Sequence, residues 1–209
     1  MEFHFGNAWT ALAQALGEAP ALVCEGQTRS WAEFEDRAGR LASALAAAGL
    51  SPGSKLGLYL LNCNEYSEAH FGAFKLGACP INVNYRYQAD ELVYLLENSD
   101  AEAVLFHSRF ADRIEEIRPR LPGVKLYLQV DDGLEAPLLA GAVAFEAALA
   151  EAAPGTWAPR PADDIYMLYT GGTTGMPKGV MYPLDAFTEF FMRGFPPMIG
   201  LPPFEDAAQ

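Results

Sequence analysis

Glycine, threonine and lysine are concentrated in one short segment of this chain, residues 169–180. The segment reads Y-T-G-G-T-T-G-M-P-K-G-V, so residues 169–179 contain four glycines, three threonines and one lysine. Glycine allows backbone N–H groups to approach an anion closely, threonine adds hydroxyl donors, and lysine adds a compact positive charge. This composition predicts a loop that holds phosphate groups.

The residues on either side of this segment indicate that it joins two strands. An apolar run, residues 165–169, leads into the segment, and residues 179–182 leave it as a second strand candidate. A Walker A loop differs, because it places Ser or Thr after its lysine and begins a helix there. The alternative is a Gly/Thr hairpin without a ligand, and the Pro177-Lys178-Gly179 sequence favours a phosphate site over it.

The sequence between residues 56 and 130 alternates regularly between strand and helix patterns. Apolar strand candidates begin near residues 56, 79, 103 and 125. Helix patterns lie between them, at residues 65–76, 89–97 and 110–120. Strand–helix–strand units of this length predict an α/β fold with a predominantly parallel sheet flanked by helices.

The N-terminal part contains a hairpin and a long helix that precede the first of these strands. The hairpin turns at Gly26, and a capping box of Ser30 and Glu33 then marks the start of the helix. Gly49 provides the left-handed residue that ends it.

Changes in composition divide the chain into three parts. Residues 1–130 are predicted to form one α/β subdomain, and residues 131–162, rich in Ala, Gly and Pro, a connection with a short helix near residues 145–150. Residues 163–209 are predicted to begin a second subdomain that carries the phosphate loop. We expect its first strand to need neighbours beyond Gln209.

The charge and the apolar pattern exclude several classes of partner. With 27 acidic and 14 basic residues the net charge is −13, which repels nucleic acid and anionic lipid. The N-terminus lacks a secretory signal, and the longest apolar runs fall short of the roughly 20 residues of a membrane span. The chain is therefore predicted to be cytoplasmic, with three free, buried thiols at Cys24, Cys63 and Cys79.

Other conspicuous side chains are interpreted as structural. None of the three histidines, His4, His70 and His107, has an Asp, Ser or Cys at a sequence spacing that would indicate a catalytic pair. No catalytic residue is therefore assigned. The pair at residues 163–164 is interpreted as a solvated strand start, and residues 85–87 as a sheet edge. The tail at residues 190–204 is rich in Phe and Pro, and we expect it to favour self-association.

The segment at residues 169–180 resembles the signature loop of the adenylate-forming superfamily, whose usual pattern is Y-T-S-G-T-T-G-x-P-K-G-V. This superfamily comprises acyl-CoA synthetases, adenylation domains of peptide synthetases, and luciferases. Gly171 stands where serine is usual, which resembles a subset of acyl-CoA synthetases that act on fatty or steroid-derived acids.

Two further stretches resemble the same superfamily. Residues 29–34 are similar to its early T-[YW]-x-E-[LF] helix start, and residues 74–86 to the segment after its second core helix. In the second stretch Asn82, Asn84 and Arg86 resemble the N-x-x-x-R pattern of acyl-CoA synthetases rather than the P-L-D-P of peptide synthetases. The chain is therefore identified as similar to the N-terminal portion of an acyl-CoA synthetase.

The resemblance implies an ATP-dependent acid–thiol ligase of fatty acid or other lipid metabolism. In that family a carboxylate attacks the α-phosphorus of ATP and expels pyrophosphate, and the thiol of coenzyme A then displaces AMP. The resemblance implies Mg²⁺ as cofactor, with Thr173 as a ligand, and a phosphate cradle made of Thr170, Gly171, Gly172, Thr173, Thr174, Gly175 and Lys178. As a fragment the chain is expected to be inactive alone.

Two alternatives stay open at this point. One is an adenylation domain that loads a carrier protein instead of free coenzyme A. The other is a non-catalytic nucleotide-binding module.

Overall fold

The computed structural model describes residues 3–134, 136–170 and 176–205. The helices are α1 Phe5–Leu16, α2 Trp31–Ala47, α3 Asn64–Leu76, α4 Ala89–Asn98, α5 Ala111–Ile117, α6 Phe145–Glu151, α7 Leu184–Glu189 and α8 Phe195–Met198. The strands are β1 Pro20–Cys24, β2 Gln27–Ser30, β3 Lys55–Tyr59, β4 Cys79–Asn82, β5 Ala101–His107, β6 Leu126–Val130, β7 Val143–Ala144, β8 Ile165–Thr170 and β9 Lys178–Pro183. A π-helical turn, Phe190–Gly194, joins α7 to α8.

The N-terminal hairpin and the helix after it follow the local signals in the sequence. Strands β1 and β2 pair antiparallel around Gly26, whose φ is +80°. The capping box is confirmed, because the Glu33 backbone N–H donates to Ser30 Oγ at 3.2 Å and Glu33 Oε2 accepts from the Ser30 N–H at 2.8 Å. Gly49 follows the helix with a φ of +86°, where a side chain would be strained.

The predicted parallel sheet is confirmed. Among the described residues, seven strands form one sheet in the order β7-β6-β5-β3-β4-β8-β9. All neighbouring strands are parallel except β8 and β9, which form an antiparallel hairpin. The chain passes from β4 back over β3 to β5, and this crossover leaves the other edge of β4 open for β8.

The prediction that strand β8 needs neighbours beyond Gln209 is wrong. Strand β8 joins the sheet through Met167, which lies opposite Ile81 of β4. Both predicted boundaries, after residues 130 and 162, therefore fall between strands that contribute to the same sheet. No local pattern gave this pairing, because the partner strand ends more than 80 residues earlier in the chain.

Alternating residues of the central strands pack against two helical layers. On β5, Leu105 faces the core formed with α2, α3 and α6, whereas Val104 and Phe106 face the core formed with α4 and α5. All three side chains are fully buried. The sheet is thus covered on both sides, as expected when β-strands alternate with helices.

The helix predicted at residues 110–120 is shorter than its pattern. Only Ala111–Ile117 is α-helical, and 3₁₀ turns at Ser108–Phe110 and Arg118–Arg120 flank it. Pro119 lies in the second turn and has no backbone N–H to continue the helix. Within the described ranges, no helix combines the length and apolar character that a membrane crossing requires.

Candidate functional site

The base of the predicted phosphate loop is the hairpin of β8 and β9. Thr170, the last residue of β8, lies opposite Lys178, the first residue of β9, and both are exposed. The other residues of the predicted cradle, Gly171, Gly172, Thr173, Thr174 and Gly175, lie outside the described residues. The predicted strand–loop–strand arrangement is confirmed, and the hairpin brings Thr170 and Lys178 together at the two ends of the loop.

The Pro-Lys-Gly sequence has a structural explanation at this hairpin. Pro177 is buried, whereas Lys178 is exposed. Gly179 lies opposite Tyr169, and a Cβ atom on Gly179 would come within 3.0 Å of Tyr169 Cζ and 3.1 Å of Met167 Sδ. Glycine therefore allows the Tyr169 ring to lie across β9. Pro177 thus anchors the chain at the start of β9, Lys178 points outward, and Gly179 leaves room for the Tyr169 ring.

An open cleft lies beside the hairpin, at the carboxyl ends of β3, β4 and β8. Its volume is about 660 Å³. Its lining contains four tyrosines, three asparagines and three aliphatic residues: Leu60, Leu61, Asn62, Tyr66, Asn82, Val83, Asn84, Tyr85, Tyr87 and Tyr169. None of these side chains carries a charge at neutral pH. Strand β3 connects to one face of the sheet, whereas its neighbours β4 and β5 connect to the other, and ligands bind at such a switch point.

The loop after β4 forms one wall of this cleft. Residues 85–87 lie in this loop, not on the predicted sheet edge. Asn84 makes the turn, since its Oδ1 accepts from the Arg86 backbone N–H at 3.0 Å and its carbonyl accepts from the Tyr87 N–H at 3.0 Å. Competition of an asparagine side chain for backbone N–H groups explains why the strand stops here.

Of the three residues that resemble the acyl-CoA synthetase pattern, Asn82, Asn84 and Arg86, only two line the cleft. Asn82 and Asn84 line the cleft together with Tyr169. Arg86 instead lies over the Tyr85 ring, 4.7 Å from its centroid, and lines a neighbouring groove with Arg109 and Arg113. The structure thus brings two of the three to the base of the predicted phosphate loop.

The structural interpretation of His70 and His107 is consistent with their contacts. His107 Nδ1 accepts from the Leu61 backbone N–H at 3.0 Å, and burial lowers the pKa of its imidazole. His70 lies 3.0 Å from the Tyr66 carbonyl oxygen and 3.3 Å from the Tyr166 hydroxyl, and burial lowers its pKa to about 4. Both rings are neutral at pH 7 and support the backbone.

The structural interpretation of His4 is also consistent with its contacts, whereas the interpretation of Asp164 as part of a solvated strand start is wrong. His4 is fully buried, and its Nε2 lies 3.3 Å from Asp164 Oδ2. Arg160 pairs with both oxygens of the same carboxylate at 2.8 and 3.0 Å. Asp164 therefore ties α1 to the segment before β8, whereas Asp163 is exposed as expected. The pairing spans most of the chain, so spacing could not indicate it.

The three cysteines are free thiols, as predicted, but only Cys79 is buried. Cys24 and Cys63 are half-buried and line a smaller cavity of about 240 Å³ at the ends of β3, β5 and β6. Burial raises the pKa of Cys63 to about 12 and that of Cys79 to about 11. A thiolate nucleophile is thus disfavoured at both positions.

The described part of the chain contains no group of three or more His, Cys, Asp or Glu residues that could hold a metal ion. The predicted ligand Thr173 lies outside them.

Comparisons with known proteins agree with this fold. The family described as AMP-binding enzyme matches residues 9–198. A 3-oxocholest-4-en-26-oate–CoA ligase of Rhodococcus rhodochrous is 45% identical over 167 residues, which cover 79% of this chain and 30% of the relative. A medium/long-chain-fatty-acid–CoA/3-oxocholest-4-en-26-oate–CoA ligase of Mycobacterium marinum is 42% identical over 174 residues, which cover 80% of this chain and 32% of the relative.

Solved structures show the same architecture. The anthranilate CoA ligase AuaEII in complex with anthranoyl-AMP superimposes with a TM-score of 0.80 at 25% identity, over 90% of this chain and 36% of that one. A fatty acyl CoA synthetase of Mycobacterium tuberculosis superimposes with a TM-score of 0.75 at 25% identity, over 88% of this chain and 35% of the synthetase. The chain spans about a third of the length of these relatives. By its family match, which extends over most of its residues, the chain belongs to the AMP-binding enzyme family.

Proposed function

We propose that this chain carries the phosphate-binding part of an ATP-dependent acid–thiol ligase. The ligase would convert a carboxylic acid to its acyl-adenylate and then to its coenzyme A thioester. The observation that carries the proposal is the position of the glycine-threonine segment. Its two flanking strands pair with Thr170 opposite Lys178, and the first of these strands contributes Tyr169 to an uncharged cleft at the carboxyl edge of the sheet.

The proposed role of the loop is to stabilise the charge that develops on the departing pyrophosphate. Donors fixed in advance around a leaving group lower the barrier, because they need no reorganisation during the reaction. We propose that Thr170, Lys178 and residues 171–175 provide these donors. Lys178 supplies the compact positive charge, the buried Pro177 before it restricts the backbone, and Gly179 after it leaves room for the Tyr169 ring.

The proposed cofactor is Mg²⁺, which when bound would neutralise phosphate charge. Mg²⁺ is commonly held by one or two carboxylates together with substrate phosphates and water. Thr173 is the proposed ligand from this chain, and the described residues add no carboxylate cluster to it. We therefore assign no step of the reaction to the metal.

The proposed acid is bulky and apolar, and the proposed acceptor is coenzyme A. Both the Rhodococcus and the M. marinum relatives are named as CoA ligases of 3-oxocholest-4-en-26-oate, and the second also of medium- and long-chain fatty acids. The resemblance of Asn82 and Arg86 to the acyl-CoA synthetase pattern supports free coenzyme A over a carrier protein. An adenylation domain that loads a carrier protein is the alternative.

We further propose that residues 1–209 alone catalyse neither half-reaction. The relatives are about three times as long as the matched segment, so most of each relative has no counterpart in this chain. The segment on its own would bind ATP through its phosphates at about millimolar concentration, or about −4 kcal/mol.

A chimera tests the proposed activity. The part of this chain that aligns with the Rhodococcus rhodochrous relative would replace the corresponding segment of that ligase. Carboxylate-dependent ATP–pyrophosphate exchange would then be measured with fatty, aryl, steroid and amino acids. We expect exchange with steroid or fatty acids and thioester formation with free coenzyme A, whereas the 209-residue chain alone should give neither. Activation of amino acids only, with transfer only to a carrier protein, would contradict the proposal.

A further inference from the structure

Tyr169, the residue before the last of strand β8, links this strand to helix α4 close to the start of the phosphate loop. Its hydroxyl donates to Asn98 Oδ1 at 2.7 Å. Asn98 is the last residue of α4, on the face of the sheet opposite α3. The ring of Tyr169 crosses Gly179 on its way to α4, so both strands at the base of the loop take part in this contact.

The position of Asn98 is set by the packing of α4 and is independent of the loop. Leu92, Leu95 and Leu96 of this helix are buried in the core beneath the sheet. The Ser99 backbone N–H donates to the Leu95 carbonyl at 2.9 Å and continues the helical bonding past Asn98. The helix end is therefore a firm support for the tyrosine hydroxyl.

Other described contacts join the hairpin of β8 and β9 to the fold through residues farther from the loop, among them the buried Met167. A single register pair among the described residues, Ile81 opposite Met167, joins β8 to β4. On the α3 face, the Tyr166 hydroxyl lies 3.3 Å from His70 Nε2. Residues 166 and 169 point to opposite faces, as an odd separation in a strand requires. Tyr166 and Tyr169 thus hold β8 from both sides, and Tyr169 is the nearer of the two to the loop.

We propose that Asn98 is a positioning residue for the phosphate loop, acting through its hydrogen bond with Tyr169. This inference rests on the proposed function of the loop. The bond restricts Tyr169 and with it the strand end at Thr170, so Thr170 samples fewer positions before the ligand arrives. When the fraction of molecules able to bind the ligand falls, the apparent dissociation constant rises by the same factor. Asn98 itself does not line the cleft among the described residues, so its effect is indirect.

A double-mutant cycle on the 209-residue chain tests this role, with inorganic pyrophosphate as the probe. Asn98→Ala, Tyr169→Phe and the double variant would be titrated by isothermal calorimetry and by amide NMR. Loss of one hydrogen bond changes an equilibrium by about two- to tenfold. We expect each single variant to bind pyrophosphate more weakly by that factor, and the double variant to be no weaker than either, because both changes remove the same bond.

A matched control separates positioning from stability. Arg120→Gln removes the exposed ion pair with Asp90 in the first turn of the same helix, where Nη1 and Oδ1 are 2.8 Å apart. We expect it to change the melting temperature about as much as Asn98→Ala while leaving pyrophosphate binding unaltered. A role in stability alone would move the melting temperature in all variants and the affinity in none.

The other outcomes are distinct. Unchanged affinity in the Asn98 and Tyr169 variants, or effects that add in the double variant, would overturn the positioning role and leave the proposed function standing. Absence of pyrophosphate binding by the unaltered chain at millimolar concentrations would overturn both.

Discussion

The buried histidine of α3 makes the stability of the chain depend on pH. His70 lies within the helical layer, 3.0 Å from the Tyr66 carbonyl oxygen. A carbonyl only accepts, so the hydrogen is on Nδ1, and the unprotonated Nε2 faces the Tyr166 hydroxyl at 3.3 Å. A second proton would place a charge among buried groups, and burial therefore lowers the pKa of this ring to about 4.

The size and the sign of the effect follow from this pKa. In the unfolded chain an ordinary histidine has a pKa of about 6.5, so it binds a proton at pH values where the folded chain does not. Stability therefore rises with pH between about 4 and 6.5 and is fully present above that window. Lowering the pH from 7.5 to 5.5 should therefore reduce the free energy of unfolding by about 1.3 kcal/mol through the His70 ring.

Urea unfolding of the unaltered chain and of His70→Gln measures this quantity. The comparison stays above pH 5.5 because the isoelectric point is about 4.5, where solubility is lowest. His70→Gln should be less stable at pH 7.5, but its free energy of unfolding should fall by about 1.3 kcal/mol less on acidification. The other histidines are present in both proteins and cancel. An identical pH dependence in the two proteins would show that His70 is protonated as easily in the fold as outside it.

Three further predictions concern packing, charge and association. Gly179→Val should displace the Tyr169 ring and lower the free energy of unfolding by about 1–3 kcal/mol in urea titrations, whereas an unchanged value would mean that the ring moves freely. Arg37→Leu should cost about 1.5–3 kcal/mol in the same assay, since it removes the nearer, at 2.8 Å, of the two arginines paired with the fully buried Glu68 and leaves Arg29 at 3.3 Å; a loss below about 1 kcal/mol would contradict this. The exposed apolar side chains of residues 190–201 should cause concentration-dependent self-association in analytical ultracentrifugation, and Phe190→Ser combined with Met198→Ser should reduce it. A chain that stays monomeric at all concentrations would refute the last of these.

The features that the sequence predicts are those determined by neighbouring residues. The capping box of Ser30 and Glu33 begins α2, and Gly77, with a φ of +80°, ends α3. The two runs beside the glycine-threonine segment form the two predicted strands, which pair antiparallel. In each case the residues concerned lie within a few positions of one another or repeat with the period of the element.

The features that the sequence does not predict depend on contacts between distant residues. The carboxylate of Asp164 meets His4 at the other end of the chain. Strand β8 finds its partner in β4, and the Tyr169 hydroxyl reaches Asn98 across 71 positions. The tyrosines of the cleft come from three separate segments, so no single motif marks them as neighbours of the loop. Such pairings follow from the topology, which periodicity alone leaves open.

We propose that the glycine-threonine segment and its lysine hold the phosphates of ATP during adenylation. Lys178→Met in the chimera with the Rhodococcus rhodochrous ligase tests it most directly, by carboxylate-dependent ATP–pyrophosphate exchange against the unaltered chimera. Loss of one charge-assisted contact corresponds to about 1.5–3 kcal/mol, so we predict a fall in exchange of about ten- to a hundredfold with unchanged thermal stability. An exchange rate equal to that of the unaltered chimera would place Lys178 outside the site and contradict the account.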